Sequence, residues 1–251
     1  MALSITWYDQ IDSTQNPAMK AAHEGAAAGH VWATDHQTAG RGRRHQGAVR
    51  PWHAPPGSGL MFSLLLRPAL PPERASALTL AVAVGCARAL EEQTGLAVQL
   101  KWPNDLFIDH RKVGGILTEG IVADGRTEAL VVGVGINVNL AAADLPEPIE
   151  AIATSLLIAA GRPFDRLALL TSVVRGVRDA VDAAVARGGD LGELADAWEA
   201  RSIVTGRRVA LDPGGATGVV QGLAPDGGLS VALDQGGATT VRSGEVRFIQ
   251  E

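Results

Sequence analysis

The stretch KWPNDLFIDHRKVGGI, Lys101 to Ile116, decides how this chain folds. An apolar run, VQLKW at 98–102, enters it as a strand and leaves through Trp102-Pro103-Asn104-Asp105, residue types that favour a rigid turn. A short strand LFI follows, and KVGGILTEGIV at 112–122 reads as a longer one. Lys112 stands just before Gly114-Gly115, where missing side chains let a ligand or another backbone approach closely. A cation in that setting suits the stabilisation of developing negative charge. The plainer alternative makes Lys112 a solvated strand end, Asn104 and Asp105 turn residues, and Trp102 core.

Working outward, EALVVGVGINVNL at 128–140 is a further strand. Gly133 and Gly135 recur with period 2, so one face of it is bare. Either a helix packs closely on those glycines or a flat ligand such as an adenine ring does. Asn137 shares their parity, and its amide could reach a base edge. Upstream, SITWYDQI (4–11) and VWATDH (31–36) read as strands around a helix capped near Ser13 or Thr14, with Pro17 in an early turn. GLMFSLLLR (59–67) is an apolar strand, and Glu73–Thr94 carries a helical stripe of Leu80, Val84, Ala87 and Leu90. RLALLTSVVRGVRDAVDAAV is an amphipathic packing helix and LGELADAWEA a shorter one. Beyond Gly206, short apolar runs punctuated by DPGG, PDGG and DQGG predict a small all-β barrel, which at that size needs to dock on the larger unit.

A chain of 251 residues with 46% hydrophobic content can bury a sizeable core in one large or two modest domains. Its net charge of −5 argues against a general nucleic-acid binder. The single cysteine, Cys86, lies in an apolar helical run, so there is no disulfide framework. The six histidines show no metal-ligand spacing. No stretch reads as a leader or a membrane span, which makes the cytoplasm the expected location. Against that acidic background TAGRGRRHQG (38–47) gathers Arg41, Arg43 and Arg44 among glycines. The segment from Gln37 to Ser58 has no periodicity and reads as one long loop, of the kind that serves as a lid or binding loop. Glycine permits close backbone approach, and arginine offers forked donors to phosphate or carboxylate. By itself the segment is read equally well as a solvated basic surface.

Taken in order, DST at 12–14, GRGRR at 40–44, Trp52 followed by PPG and GLMFS, KWPND at 101–105, RKVGGIL at 111–117, GVGINV at 133–138 and the closing SGEVRFI resemble the biotin protein ligase family over essentially the whole chain. His45 stands where that family commonly has glycine, and the run to Trp52 is a few residues longer. The resemblance implies an α+β fold: a mixed sheet with packing helices of class II synthetase type over residues 1–203, then a small SH3-like β-barrel over 204–251. It implies a ligase that joins biotin to ATP as biotinyl-5′-AMP, with Mg²⁺, and passes biotin to a lysine of a biotin carboxyl carrier protein domain. By position, Ser13, Thr14 and Gln37 would bind the ureido head. Arg41 and Arg43 would order the loop and bind the activated ester and phosphates. Lys112 would contact the carboxylate and α-phosphate, and Gly115 would line the biotin pocket. Asn137 would read the adenine, Trp52 would cover it, and Asp105 is the candidate for organising magnesium. With DST starting at residue 12, no DNA-binding segment and no nucleic-acid partner are expected, and the family admits a monomer or a homodimer. The competing readings are a lipoate or octanoate ligase or transferase of the same fold and a non-catalytic nucleotide-binding regulator. KWPND together with GRGRR favours biotin.

Overall fold

The computed structural model describes residues 3–249 apart from 46, 146 and 148, with the backbone alone at Arg44, His45 and Val49. The chain runs β1 (Ser4–Ile11), α1 (Gln15–His23), β2 (His30–Gln37), β3 (Arg41–His45), β4 (Ala48–Pro51), β5 (Gly59–Leu66), α2 (Pro72–Ala75), α3 (Leu78–Thr94), β6 (Gln99–Lys101), β7 (Asp105–Ile108), β8 (Arg111–Ala123) and β9 (Arg126–Asn137). Two 3-10 turns lead to α4 (Leu156–Ala160), α5 (Arg166–Ala186) and α6 (Glu193–Glu199). The chain ends in β10 (Arg208–Asp212), β11 (Thr217–Leu223), β12 (Leu229–Leu233), β13 (Ala238–Val241) and β14 (Glu245–Phe248).

Seven strands form a mixed sheet in the order β1-β2-β5-β9-β8-β7-β6. β1 and β2 pair in parallel, and the remaining neighbours are antiparallel. The period of 2 splits β9 between two faces. Leu130, Val132, Val134 and Ile136 enter the main core beneath α3 and α5. Ala129 and Val131 meet Ala18 and Ala22 of α1 on the other face. Further along that second face come Gly133, Gly135 and Asn137, the residues of the bare strip. α3 and α5 cross in close contact because Gly85 faces Gly176, where an added Cβ on Gly85 would collide with the Gly176 carbonyl oxygen. Cys86, buried on α3, has its thiol pushed up to about 12 by burial and is inert at neutral pH.

The second sheet, β13-β12-β11-β10-β14, is antiparallel, and the fold is the expected α+β arrangement of a mixed sheet with helices followed by an SH3-like unit. Its Val209, Val220, Leu229, Val231 and Val246 join the main core, so it is docked as its small size requires. Trp102 is buried as expected, and its indole N–H reaches the Gly227 carbonyl at 3.2 Å. Among the described residues no helix is long and apolar enough to cross a membrane.

Three local expectations change. The loop from Gln37 to Ser58 contains a two-stranded hairpin, β3–β4, formed by backbone pairing that a hydrophobic pattern does not reveal. The helix expected over Glu73–Thr94 is two pieces, α2 and α3. α1 begins at Gln15, but Thr14 at its N-cap makes no capping hydrogen bond. Because the α3–α5 crossing has no room for a methyl group, Gly85→Ala is expected to cost roughly 1–3 kcal/mol and to lower the thermal midpoint by several degrees, as measured by calorimetry.

Candidate active site

One cross-strand row runs Thr34, Met61, Gly135, Gly115, Asp105, Lys101 over six adjacent strands. The neighbouring row holds Ser63, Gly133 and Leu117. The glycines leave a depression in the sheet, and the β3–β4 hairpin folds over it to enclose a cavity of about 360 Å³. Each bare position of β9 faces a side chain from elsewhere. A Cβ on Gly133 would lie 2.9 Å from Gln15 Oε1, and one on Gly135 would lie 2.6 Å from the Trp52 ring. The Trp52 indole nitrogen is buried there without a protein partner.

One end of the cavity is polar and buried, with Ser13, Thr14, Gln15 and Gln37 each less than a tenth exposed and the buried Ser63 behind them. Gln37 Oε1 accepts from the Thr14 backbone N–H at 2.9 Å. Ser63 Oγ donates to Gln15 Oε1 at 2.7 Å, and the Thr14 hydroxyl lies 2.8 Å from Ser63 Oγ and 3.3 Å from Gln37 Oε1, to which it can donate. Gln15 Nε2 donates to Glu119 Oε2 at 2.7 Å. Arg41 closes the ring, with Nη1 donating to Asn16 Oδ1 at 2.8 Å and Nη2 lying 3.5 Å from Glu119 Oε2. Thr14 has helical backbone angles, φ −62° and ψ −23°, rather than the extended ones of a capping residue, so α1 starts without a side-chain cap.

The opposite side is charged. Lys112 Nζ pairs with Asp105 Oδ1 at 2.6 Å and lies 3.5 Å from the position a Cβ on Gly115 would take. The Lys112 backbone is held by a bridge to Ala153, and Asn104 Nδ2 donates to the Ile116 carbonyl. Arg50 makes a two-pronged ion pair with Glu245 of the small sheet, and Arg43 Nη1 donates to the Gly244 carbonyl at 3.3 Å. Burial lowers the Arg43 guanidinium from its ordinary value; Glu245 and Asp105 oppose that and Arg50 adds to it. Lys101 is likewise lowered by burial, against Asp105 and Glu245 and with Lys112 and Arg50. At the mouth, Asn137 Nδ2 donates to the Thr154 carbonyl at 2.9 Å, beside the apolar Leu140, Leu145 and Ile152.

All ten expected site residues, Ser13, Thr14, Gln37, Arg41, Arg43, Trp52, Asp105, Lys112, Gly115 and Asn137, line this one cavity. Sequence reading missed Gln15, Ser63, Glu119, Arg50 and Glu245. Ser63 left a trace, as the one polar residue of GLMFSLLL. Among the described residues no group of three His, Cys, Asp or Glu side chains could hold a metal ion.

A mixed sheet with a glycine floor, a polar buried end and a cationic flap encloses a cavity of small-molecule size. Residues 7–137 match the model of the Biotin/lipoate A/B protein ligase family. The chain belongs to that family. The Bifunctional ligase/repressor BirA of Bacillus subtilis (strain 168) is 38% identical over 174 residues, covering 69% of this chain but 52% of that protein, so the match spans about half that relative's length. The Biotin--[acetyl-CoA-carboxylase] ligase of Mycobacterium tuberculosis is 33% identical over 224 residues, 86% of this chain and 77% of that protein. Among solved structures, the biotin protein ligase from Aquifex aeolicus in complex with biotin and ATP is similar with a TM-score of 0.80 and 30% identity over 99% of both chains.

Since Trp52 rests where a Gly135 methyl group would go, Gly135→Ala is expected to lift the indole off the strand. Acrylamide quenching of Trp52 fluorescence, taken as the difference from Trp52→Phe in each background, should rise while the thermal midpoint stays close to that of the parent.

Proposed function

We propose that this cavity condenses biotin with ATP to biotinyl-5′-AMP and pyrophosphate, and that the adenylate then biotinylates a lysine of a biotin carboxyl carrier protein domain. The observation that carries the reading is the run of buried amides and hydroxyls, Thr14, Gln15, Gln37 and Ser63, at one end of a slot floored by glycine. A ureido ring has two N–H donors and a carbonyl acceptor with which to join such a hydrogen-bonded lining, whereas the dithiolane of lipoate has no N–H or carbonyl to offer it. The family covers both acids; the polar end favours the first. The Aquifex aeolicus relative, solved with biotin and ATP, supports the same choice.

From the polar end the slot leads past Gly115 to Lys112 and on to Asn137. Biotin laid along it brings its carboxylate to Lys112 and Arg43. There the attack of a carboxylate oxygen on the α-phosphorus expels pyrophosphate. Two anions must meet in that step, and fixed cations lower its barrier without any enzyme nucleophile. The adenine goes to the apolar mouth, where Asn137 offers an amide and Trp52 a flat cover. Arg41 holds the base of the flap, and closure keeps water from the reactive mixed anhydride. The acceptor amine then attacks the acyl carbon, AMP leaves, and the ammonium proton passes to solvent. Mg²⁺ fits this lining as part of the MgATP substrate: phosphates supply most of its oxygens, and Asp105, whose Oδ1 is paired with Lys112, is a single carboxylate beside them. In this reading residues 1–203 carry the chemistry and residues 204–251 form the docked barrel that supplies Gly244 and Glu245.

Biotin-dependent exchange of label between pyrophosphate and ATP, run beside lipoate, tests the reading. Exchange with biotin and little with lipoate is expected; exchange with neither acid would overturn it. Lys112→Ala should slow that exchange about 10²-fold while leaving the thermal midpoint within a few degrees, since one preorganised charge contact at the reacting centre is lost.

A further inference from the structure

Glu119 lies outside every motif that points to the site, yet the cavity and the hairpin meet through it. Its Oε2 accepts from Gln15 at 2.7 Å and lies 3.5 Å from the Arg41 guanidinium. On one side, Gln15 is buried against Gly133 and takes the Ser63 proton, so its amide is part of the polar end. On the other side, Arg41 opens β3 and pairs with Pro51, and the Trp52 N–H bonds the Gly40 carbonyl at 2.8 Å. One residue in each direction thus separates this carboxylate from the ligand-binding end and from the base of the flap that carries Trp52.

We propose that Glu119 is a positioning residue that couples occupancy of the polar end to closure of the β3–β4 hairpin; the proposal rests on the reading that biotin's ureido head fills that end. A ligand there fixes the Gln15 amide, the amide fixes the Glu119 carboxylate, and the carboxylate with Asn16 gives Arg41 a two-point hold. Without that hold Arg41 keeps only its contact with Asn16, and the hairpin is otherwise held by its backbone pairing and by the contacts of Arg43 and Arg50 with the small sheet. A glutamine at 119 fills the same space but offers no charge to Arg41 and can turn its own N–H₂ toward the guanidinium.

The test uses trypsin, which cuts after Arg41, Arg43, Arg44 and Arg50, with biotin present at saturation and no nucleotide. In the parent protein biotin alone should slow cutting in this segment about tenfold, the scale of one charge-assisted contact. Glu119→Gln should still bind biotin by calorimetry but be cut as fast as the ligand-free protein, with Glu119→Asp in between. In pyrophosphate exchange the KM for biotin in Glu119→Gln should rise by more than kcat falls. A purely structural role would lower the thermal midpoint without separating binding from protection. Protection of Glu119→Gln by biotin equal to that of the parent would overturn the coupling, and so would complete loss of biotin binding, which would make Glu119 part of the pocket itself. If biotin neither binds nor protects the parent, the ligase reading falls and the coupling with it.

Discussion

The site depends on two missing side chains. Strand β9 is central in the sheet, where a strand ordinarily presents a side chain at every second position on each face. At Gly133 and Gly135 it presents none, and a single Cβ at either position would fall within 3 Å of Gln15 or Trp52. Glycine in a central strand sacrifices packing and backbone order. The sheet tolerates this because the other face of β9 is packed with Leu130, Val132, Val134 and Ile136. A rigid hydrophobic layer on one side therefore permits a strip on the other that Gln15 and Trp52, rather than side chains of β9, cover. The hairpin and the helix start are both arranged around that strip.

The charges around the slot follow a second constraint. Arg43, Arg50, Lys101 and Lys112 share it with Asp105 and Glu245, an excess of cations in a region sheltered enough to lower both Arg43 and Lys101. Like charges held close at reduced dielectric raise the energy of the closed state. The two carboxylates offset part of this, each holding one cation by a short ion pair. The remaining positive charge is the feature on which the proposed binding of a polyanionic nucleotide rests. Arginine suits the flap because its guanidinium stays charged when half-buried and contacts oxygens through a fork, while lysine at 112 presents a compact charge to a small target.

How far the sequence could be read followed from the kind of signal each element carries. Strands such as GLMFSLLL and helices such as α5 announce themselves through periodicity, and their observed bounds lie within a residue or two of those expected. The ten expected residues that line the cavity could be picked out because they sit in short motifs whose order is specific. The β3–β4 hairpin was not, since its strands are polar and glycine-bearing and its register is irregular between Arg41 and Arg44. Nor were Gln15, Glu119 and Glu245: their roles arise from contacts spanning 104 residues in the case of Gln15 with Glu119 and 195 in that of Arg50 with Glu245. Side chains that support a site across the sheet have ordinary local surroundings in the sequence.

The start of α1 shows how such a site is accommodated by the fold around it. Thr14 stands at the N-cap, where its hydroxyl would ordinarily accept from a backbone N–H of the first turn, a contact commonly worth about 1 kcal/mol. Instead the hydroxyl meets Ser63, and the Thr14 N–H goes to Gln37. Asp12 accepts from the Ser13 backbone N–H and from the Asn16 side-chain amide. Asn16, so anchored, is the residue that accepts from Arg41. The polar end of the cavity thus holds a fixed hydroxyl, and the bonds from Asp12 through Asn16 extend the same network to the flap. The first turn of α1 is in this way the connection between the pocket and the hairpin that covers it.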